Sequence, residues 1–375
     1  MDFAKAFNRQ DHTILITKLS DMGVPGWLLR LVIAFLKDRK MKVKYKGKYS
    51  KLFNLPGGGP QGSLLGLFLF LVLINDAGYE GQVNNAGDVI TRRKKANDLE
   101  VIHMKYVDDL TLAEGVDMAT QLDKVPMNER PQPDNFRART GHKLKIEGSK
   151  VYEQLKEIEQ YAIKNKMKLN IPKTKLMLFN PCKSKDFMPE FQIENTRIEL
   201  VEQTRLLGVV LTSNLSWSAN TDSIVERCQK KMWTLRRLKK LGANKDDLIE
   251  IYIKQIRSIA EFAVPVWNSS LTGDDVASLE RIQKTALNII LGEQYESYTS
   301  SLKTAALKKL STRRRKMCIK FAKRAQKHSK FTKWFKPNTR RTPRLKQPRF
   351  CPVIAKKERF RKSPLSYLTT LLNHT

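Results

Sequence analysis

The chain has 375 residues, of which 70 are lysine or arginine and 37 are aspartate or glutamate, so its formal net charge at pH 7 is +33. Hydrophobic residues make up 41% of the sequence and aromatic residues 8%, a composition that excludes a disordered polycation. The length suffices for roughly two or three domains of ~100–200 residues. A positive charge of this size predicts a polyanionic partner.

The positive charge is concentrated at the C-terminal end. Residues 301–375 contain 24 lysines and arginines and a single acid, Glu358, a net +23 of the total +33. Aromatic residues are interleaved with these charges, namely Phe331, Trp334, Phe335, Phe350 and Phe360. This combination favours phosphate contact, with bases or protein packing for the rings, over a solvated tail or a membrane surface.

Other features exclude a metal framework of cysteines and a membrane span. The four cysteines are far apart and form no C-x-x-C pattern, which argues against zinc and against a disulfide framework. The longest apolar run, residues 64–74, is shorter than the ~20 residues that a membrane helix needs. The N-terminus has no signal-peptide pattern. We therefore expect an intracellular protein in a reducing compartment.

The first 75 residues predict two helices, a hairpin and a third helix. Apolar residues in 11–37 recur at helical spacing on both sides of a break at Gly23-Val24-Pro25. Residues 41–55 alternate around Lys46-Gly47-Lys48, which predicts a hairpin. The apolar run 63–74 follows a glycine-rich turn and predicts a buried helix.

The rest of the chain predicts one more hairpin and then mostly helices. Residues 101–113 form two short β-type runs that meet at Asp108-Asp109. An amphipathic helix at 151–162 and a strand at 176–179 follow. Helical periodicity then covers 224–242, 246–265 and 274–291, with Gly292 as a helix-ending glycine. Four prolines after residue 330 argue against regular structure there: Pro337, Pro343, Pro348 and Pro352.

Acidic residues at two places suggest chemistry. Asp2 opens the segment Asp2–Phe7, and Asp108-Asp109 lie at the tip of the predicted hairpin. Converging carboxylates are the ligands that Mg²⁺ prefers, since it binds hard oxygens and keeps positions for water and phosphate. Two such ions ~3.5–4 Å apart stabilise both oxygens of an in-line phosphoryl displacement. An Asp-Asp pair alone is far more often an ordinary polar turn.

Four segments, taken together, carry a resemblance. They are Asp2-Phe3-Ala4-Lys5-Ala6-Phe7, Leu55-Pro56-Gly57-Gly58-Gly59-Pro60-Gln61-Gly62-Ser63, Tyr106-Val107-Asp108-Asp109 and Leu169-Asn170-Ile171-Pro172-Lys173-Thr174-Lys175. Their order and spacing resemble motifs A, B, C and D of the reverse transcriptases of non-LTR (LINE-type) retrotransposons. Segments 205–217, 264–268 and 279–284 extend the resemblance to about residue 325.

The resemblance implies roles for the acids and for one lysine. Asp2, Asp108 and Asp109 would bind two Mg²⁺ ions, for which Mn²⁺ is a substitute. The Phe3 main chain would also meet a metal. Lys173 would protonate the leaving pyrophosphate, although a solvated surface lysine remains an alternative.

The resemblance also implies a nucleotide-binding pocket. Phe7 would exclude a 2′-OH and so favour deoxynucleotides, or it would only pack at a helix start. Gln61 and Gly62 would line the pocket for nucleotide and template, where a glycine permits close backbone approach. The alternative is a glycine-rich turn that caps the helix from Ser63.

The fold implied is α+β. A partial polymerase palm, an antiparallel sheet packed by helices, would cover 1–200, a thumb-like helical region 201–300, and a basic nucleic-acid-binding segment 301–375. The activity implied is that of an RNA-directed DNA polymerase, a nucleotidyltransferase that adds dNTPs to a DNA primer on an RNA template. The nucleus is the compartment implied.

The motif order begins one residue before the motif A aspartate. The resemblance therefore implies a truncated copy without fingers, in which Asp2 is loosely held and dNTP incorporation is lost. Two other functions stay open. One is a catalytically inactive, basic nucleic-acid-binding remnant of the same element. The other, less favoured because no Cys/His endonuclease tail follows, is a group II intron maturase.

Overall fold

The computed structural model describes residues 1–55, 57–60, 62–77, 102–106, 109–115, 144–145, 149–179, 187–188, 190–329, 331–338, 350–354 and 358–374. Within these ranges the chain forms two compact units, Met1–Val201 and Glu202–Thr375. Both combine helices with short strands, so the predicted α+β class is confirmed at this level. No described helix has the length and hydropathy needed to cross a membrane.

The first unit combines helices with short strand pairs. Its helices are α1 (His12–Asp21), α2 (Gly26–Leu36), α3 (Leu64–Ile74) and α4 (Lys150–Lys164), with 3₁₀ turns at Ala6–Arg9 and Ile171–Lys173. Its strands are β1 (Lys40–Met41), β2 (Lys44–Tyr45), β3 (Lys48–Tyr49), β4 (Phe53–Asn54), β5 (Ile102–Tyr106), β6 (Asp109–Ala113), β7 (Leu144–Lys145), β8 (Lys175–Leu176), β9 (Phe187–Met188), β10 (Gln192–Ile193), β11 (Thr196–Arg197) and β12 (Glu199–Leu200). The pairs β1–β4, β2–β3, β5–β6 and β10–β11 are antiparallel, whereas β8–β12 and β7–β9 are parallel.

Two helices of the first unit begin directly after a residue whose side chain caps them. Asp11 accepts a hydrogen bond from the Ile14 N–H at the start of α1, and Ser149 accepts one from the Tyr152 N–H at the start of α4. Such side chains satisfy backbone donors that a helix leaves unpaired at its first turn. The predicted break between α1 and α2 is confirmed, with Gly23 at φ 77°.

Helix α3 is only half buried, which differs from the predicted buried helix. Leu69, Phe70 and Leu73 are fully buried, whereas Leu64 is 90% exposed and Phe68 56%. An all-apolar run does not indicate which face a helix buries, because periodicity disappears when every position is hydrophobic. The core against which α3 packs contains Phe3, Leu15, Leu19, Val32, Leu36, Leu110, Leu155, Ile158 and Leu169.

The second unit is mostly helical. Its helices are α5 (Ser218–Lys240), α6 (Lys245–Ile251), α7 (Ser258–Ala260), α8 (Val264–Trp267), α9 (Gly273–Leu291), α10 (Tyr298–Thr304), α11 (Leu310–Ala325), α12 (Glu358–Arg361) and α13 (Pro364–Asn373). An antiparallel pair, β13 (Gln203–Leu206) and β14 (Val209–Thr212), precedes them. Helices α5 and α9 pack against each other around a core that includes Trp267, Tyr252, Leu235 and Leu279. The predicted helix 274–291 and its ending glycine, Gly292, are confirmed.

The predicted helix 246–265 is interrupted. Residues Tyr252–Arg257 are π-helical, and the helix ends before Ala263, which has φ 52°. The break allows Trp267 to be fully buried while its indole N–H donates to the Phe262 carbonyl oxygen at 3.0 Å. Burial of a large aromatic residue whose polar atom is satisfied compensates for local backbone strain.

The C-terminal end also differs from its prediction. Residues Pro364–Asn373 form a regular helix, with Pro364 in its first turn and Leu368, Leu371 and Leu372 buried. A proline is compatible with the first helical position, where its missing N–H would have no partner. The prolines on which the prediction relied lie before this helix, so the expected lack of regular structure is wrong for 364–373.

Part of the basic segment is structural. Arg314 is 2% exposed and donates its Nε–H to Asn268 Oδ1 at 3.0 Å, and burial lowers its pKa. Arg313 donates two N–H groups to the Glu261 carboxylate. Phe335 and Phe350 are buried as well, so their rings pack inside the protein.

Candidate active site

The N-terminal residues form an extended segment beside β6. The Met1 amino group donates to the Leu110 carbonyl oxygen at 2.7 Å, and the Leu110 N–H donates to the Met1 carbonyl oxygen at 3.0 Å. Two residues that exchange both hydrogen bonds form an antiparallel pair, and the residues next to them on each strand face each other directly. This register puts Asp2 opposite Asp109.

The other edge of the same segment pairs with residues 168–170. Phe3 and Leu169 form an antiparallel bridge, and the Asn170 N–H donates to the Asp2 carbonyl oxygen at 2.8 Å. The backbone of Asp2 is thus held between two neighbours. This differs from the expectation of a loosely held Asp2, because that expectation considered the terminus without its pairing partners.

Alternation separates an apolar face from a polar face in these segments. Phe3, Leu110 and Leu169 are buried in the core of the first unit. Because successive side chains of a strand point to opposite faces, Asp2 and Asp109 both lie on the face away from that core. The structure therefore brings two of the predicted metal ligands together across 107 positions of sequence.

Two side chains contact the Asp2 carboxylate. Asn170 Nδ2 and Lys173 Nζ each lie 3.3 Å from Asp2 Oδ2. The Lys173 side chain is 71% exposed, whereas that of Asp2 is 16% exposed. Lys173 therefore neutralises Asp2 from the solvent side and is free to turn away from it.

Both carboxylates also act on the Met1 amino group. Burial lowers the pKa of this group, while Asp109 and Asp2 raise it. A single ammonium that is influenced by both acids indicates that they lie around one locus.

The described residues of this site supply part of the ligand set that a hard divalent cation needs. Asp2 and Asp109 supply carboxylate oxygens on one face, which is the chemistry that Mg²⁺ requires. Asp108 lies outside the described residues, and within those residues no group of three or more His, Cys, Asp or Glu could hold a metal ion. The predicted third ligand therefore stays a prediction.

Phe7 lies in the 3₁₀ turn Ala6–Arg9 and packs against α3. Its ring centroid is 4.7 Å from that of Phe70, which is fully buried. Phe7 itself is partly buried. The contact is the packing alternative considered above, and it leaves part of the ring accessible.

The glycine-rich turn is attached to the segment that follows Asp2. The Gly59 N–H donates to the Phe7 carbonyl oxygen at 2.7 Å, and the Gly58 N–H donates to the Gln10 carbonyl oxygen at 2.9 Å. His12 Nε2 lies 2.9 Å from the Gly58 carbonyl oxygen, and the Arg39 guanidinium donates to the same oxygen. The segment after Asp2 and the glycine-rich turn are thus joined by backbone hydrogen bonds.

The predicted residues of motif B are only partly described. Gln61 lies outside the described residues, and Gly62 has φ 92° just before α3. Ser63 accepts a hydrogen bond from the Gly66 N–H at 3.0 Å and so caps α3, as the alternative interpretation required. A Cβ on Gly66 would lie 2.3 Å from the Pro60 carbonyl oxygen, so this turn fits tightly onto the helix.

Gly58→Ala should destabilise the first unit by about 2 kcal/mol or more. Gly58 has φ 77°, and a Cβ there would lie 3.0 Å from backbone atoms of both Phe7 and Asn8. Gly62→Ala is the matched control, because Gly62 has φ 92° but open space around it, so backbone strain alone should cost about 1 kcal/mol. Urea unfolding followed by hydrogen exchange in the first unit measures both, and equal losses would contradict the close approach at Gly58.

The C-terminal end of α3 connects this turn to the hairpin β5–β6. Lys105 on β5 donates to the Asn75 carbonyl oxygen at 2.8 Å and to that of Ile74 at 3.2 Å, and burial lowers its pKa to about 8. Lys18 donates to the Leu73 carbonyl oxygen at 2.8 Å. Lysines at a helix C-terminus satisfy its unpaired carbonyls. These contacts help to fix the hairpin that carries Asp109.

Several of these residues have no role that the sequence predicted. Asn170 lies in the segment that resembles motif D, so its contact with Asp2 could have been predicted from that resemblance. His12 and Arg39 had no such signal, because their backbone acceptors become apparent only in the folded turn.

No protein-family model matches the chain. Among curated proteins, the chain is 23% identical over 273 residues to the "Probable RNA-directed DNA polymerase from transposon BS" of Drosophila melanogaster. The aligned residues cover 71% of this chain and 26% of that protein. The chain is thus similar to a protein that is named as a transposon reverse transcriptase. The predicted relationship to the non-LTR branch is thereby confirmed.

The chain spans about a quarter of the length of this relative. The relative's name describes the activity of the relative and does not assign that activity to this chain. Activity, template, primer and metal are therefore proposals for this chain, and the roles of Asp2, Asp109 and Lys173 stay predictions.

Proposed function

We propose that the first unit is the palm of an RNA-directed DNA polymerase that extends a DNA primer on an RNA template in the nucleus. The observation that supports this most is the register that puts Asp2 opposite Asp109 on the polar face. Motif spacing and the relationship to a transposon protein agree with it. The second unit would act as the thumb.

Asp2 and Asp109, with Asp108, would hold two Mg²⁺ ions. When bound, these ions would favour the deprotonated, nucleophilic form of the primer 3′-oxygen and neutralise charge on the phosphate oxygens. The two carboxylates orient the site, since Asp109 begins β6 and the backbone of Asp2 is hydrogen-bonded to Asn170 beside it. The core on the other face keeps that orientation rigid.

Lys173 is suited to the leaving group. In nucleotidyl transfer the primer 3′-hydroxyl loses its proton to water as its oxygen bonds to the α-phosphorus, the bond from that phosphorus to the bridging oxygen breaks, and pyrophosphate leaves and gains a proton from a general acid. Lys173 Nζ carries that proton beside Asp2 and is exposed enough to move. Phe7, held against Phe70, would contact the sugar at C2′ and exclude a 2′-OH.

The second unit offers basic helix faces for nucleic acid. On α5, Lys230, Trp233, Arg237 and Lys240 are exposed and share one face at helical spacing. On α11, Lys316, Lys320 and Lys323 do the same. Regular rows of cations on rigid helices suit the repeated phosphates of a duplex.

Iron-directed cleavage of the backbone tests the metal site without requiring polymerase activity. Fe²⁺ placed at a Mg²⁺ site generates hydroxyl radicals with ascorbate and peroxide, which cut the nearest backbone. We expect cuts around residues 1–3 and 108–110 in the same preparation, suppressed by excess Mg²⁺. Cuts elsewhere only, or none that Mg²⁺ suppresses, would favour the inactive nucleic-acid-binding alternative.

A further inference from the structure

The segment Lys40–Asn54 is a hairpin that projects from the first unit. Strands β1 and β4 pair at its base, and β2 and β3 pair at its tip. Every residue from Lys40 to Asn54 is exposed. Lys46 and Gly47 both have positive φ, 45° and 78°, which is the two-residue turn that suits the twist of a hairpin. The hairpin is thus well formed although it buries none of its side chains.

The tip of this hairpin is strongly basic. Residues 40–51 contain six lysines and no acid. Lysines so close together repel each other and destabilise strand pairing. Charged residues on an edge strand also prevent aggregation, but that role does not require tyrosines among them. A bound polyanion would remove the repulsion.

Two exposed tyrosines are combined with these lysines. Tyr45 is 70% exposed and Tyr49 55%. Among the tyrosines whose side chains the structure describes, these two are exposed and the others are at least partly buried. The register pairs Lys44 with Tyr49 and Tyr45 with Lys48, so each face of the tip carries one ring and at least one lysine.

Lysine ammonium groups lie close to both rings. Lys42 Nζ is 4.3 Å from the centroid of Tyr49, and Lys44 Nζ is 5.4 Å from it. Lys46 Nζ is 5.6 Å from the centroid of Tyr45. A cation over one face of a ring, as Lys46 is over Tyr45, is compatible with a base on the other face. The same ammonium groups would contact the phosphates of the bound strand.

An open cleft lies between these groups. Its volume is about 420 Å³, and it is lined by Val43, Tyr45, Lys46, Lys48, Tyr49 and Ser50. The lining combines ring surfaces with cations and contains no acid, which suits a nucleotide unit.

We propose that the hairpin Lys40–Asn54 binds single-stranded RNA, with bases stacked on Tyr45 and Tyr49 and phosphates held by the surrounding lysines. Stacking on an aromatic side chain requires a base that is not stacked in a duplex. The hairpin therefore favours a single strand over the duplex proposed for the basic helices. The choice of RNA over DNA rests on the proposed function, whose template is RNA.

The test compares full-length variants in binding to a fluorescein-labelled, unstructured oligouridine. Tyr45→Ala with Tyr49→Ala should weaken binding about fivefold or more for each ring. Tyr45→Phe with Tyr49→Phe should retain the affinity, because the ring is kept. Trp27→Ala is the matched control, since Trp27 is 64% exposed on α2 without a lysine cluster, and it should have no effect.

Photocrosslinking provides a local measurement that the rest of the basic surface does not obscure. An oligouridine containing 4-thiouridine should crosslink to the peptide that contains Tyr45 and Tyr49. Wild-type affinity of the double alanine variant together with no crosslink in residues 40–54 would overturn the proposal. Tyrosine-dependent binding to phosphatidylserine vesicles with unchanged RNA affinity would overturn it as well.

Failure here is distinguishable from failure of the proposed function. If Fe²⁺ cuts at residues 1–3 and 108–110 while the hairpin variants bind RNA normally, only the hairpin proposal is wrong. If tyrosine-dependent RNA binding and the crosslink are found but those cuts are absent, the hairpin proposal holds and the polymerase proposal does not.

Discussion

Asp109→Asn should abolish metal-dependent cleavage around residues 1–3, with a loss of metal affinity of at least about 100-fold. Changes to outer partners of metal ligands already cost about 10–100-fold, and a neutral amide replaces a charged ligand here. The effect appears on a distant part of the sequence because Asp2 and Asp109 face each other across two strands. Asp2→Asn should act in the same way on cuts around residue 109.

Asp21→Asn is the matched control for both variants, because Asp21 is exposed at the end of α1. It should leave the cuts unchanged. In any preparation that extends a DNA primer on RNA, Asp109→Asn should also reduce the extension rate at least about 100-fold without reducing RNA–DNA binding. Equal cuts in the wild type and in Asp109→Asn would refute the metal-binding role.

Replacing Lys316, Lys320 and Lys323 by glutamine should reduce the salt dependence of duplex binding. Each phosphate contact contributes about 0.7–0.9 to the slope of log affinity against log salt, so three contacts contribute about 2–3. The affinity at low salt should fall together with the slope. Binding of an RNA–DNA duplex measured over a series of salt concentrations gives both quantities.

Arginine at the same three positions is the control, since it keeps the charge and should keep the slope. Deletion of 301–375 would be a poor test, because Leu310, Cys318 and Leu368 belong to the core of the second unit and their loss would unfold it. An unchanged slope in the glutamine variant would mean that this face of α11 does not contact the duplex.

Several elements could be predicted because their signals are local. Helices α1 and α2 were evident from apolar spacing around a glycine and a proline, and the hairpin tip from alternation around Gly47. In each case the residues that determine the conformation lie within the element itself. The helix at 273–291 was predictable for the same reason, since its capping box and its ending glycine lie at its own ends.

The differences arise where tertiary contacts decide the conformation. The π-helical turn and the break at Ala263 accompany the burial of Trp267. Trp267 lies outside residues 246–265, so the apolar periodicity of that segment gives no signal for them. Arg314 stands in a run of cations and has the sequence environment of a surface residue. Only the fold shows that Asn268 accepts its hydrogen bond in the interior.

For the candidate site, the motif order indicated which acids should meet, but their geometry required the fold. The exchange of hydrogen bonds between Met1 and Leu110 sets the register, and a shift by one residue would turn Asp109 into the core. The contact of Asn170 with Asp2 likewise depends on the pairing of Phe3 with Leu169. The spacing of the motifs along the sequence does not determine that register.

The register of the acidic pair has a consequence for the order of folding. Its two strands join residues 109 positions apart, and Asn170 joins Asp2 across 168 positions. Closing such long loops costs chain entropy before any contact is gained, whereas the helices of the second unit form from nearby residues. When the complete chain refolds from the denatured state, we therefore expect the helices of the second unit to form before Asp2 and Asp109 come together.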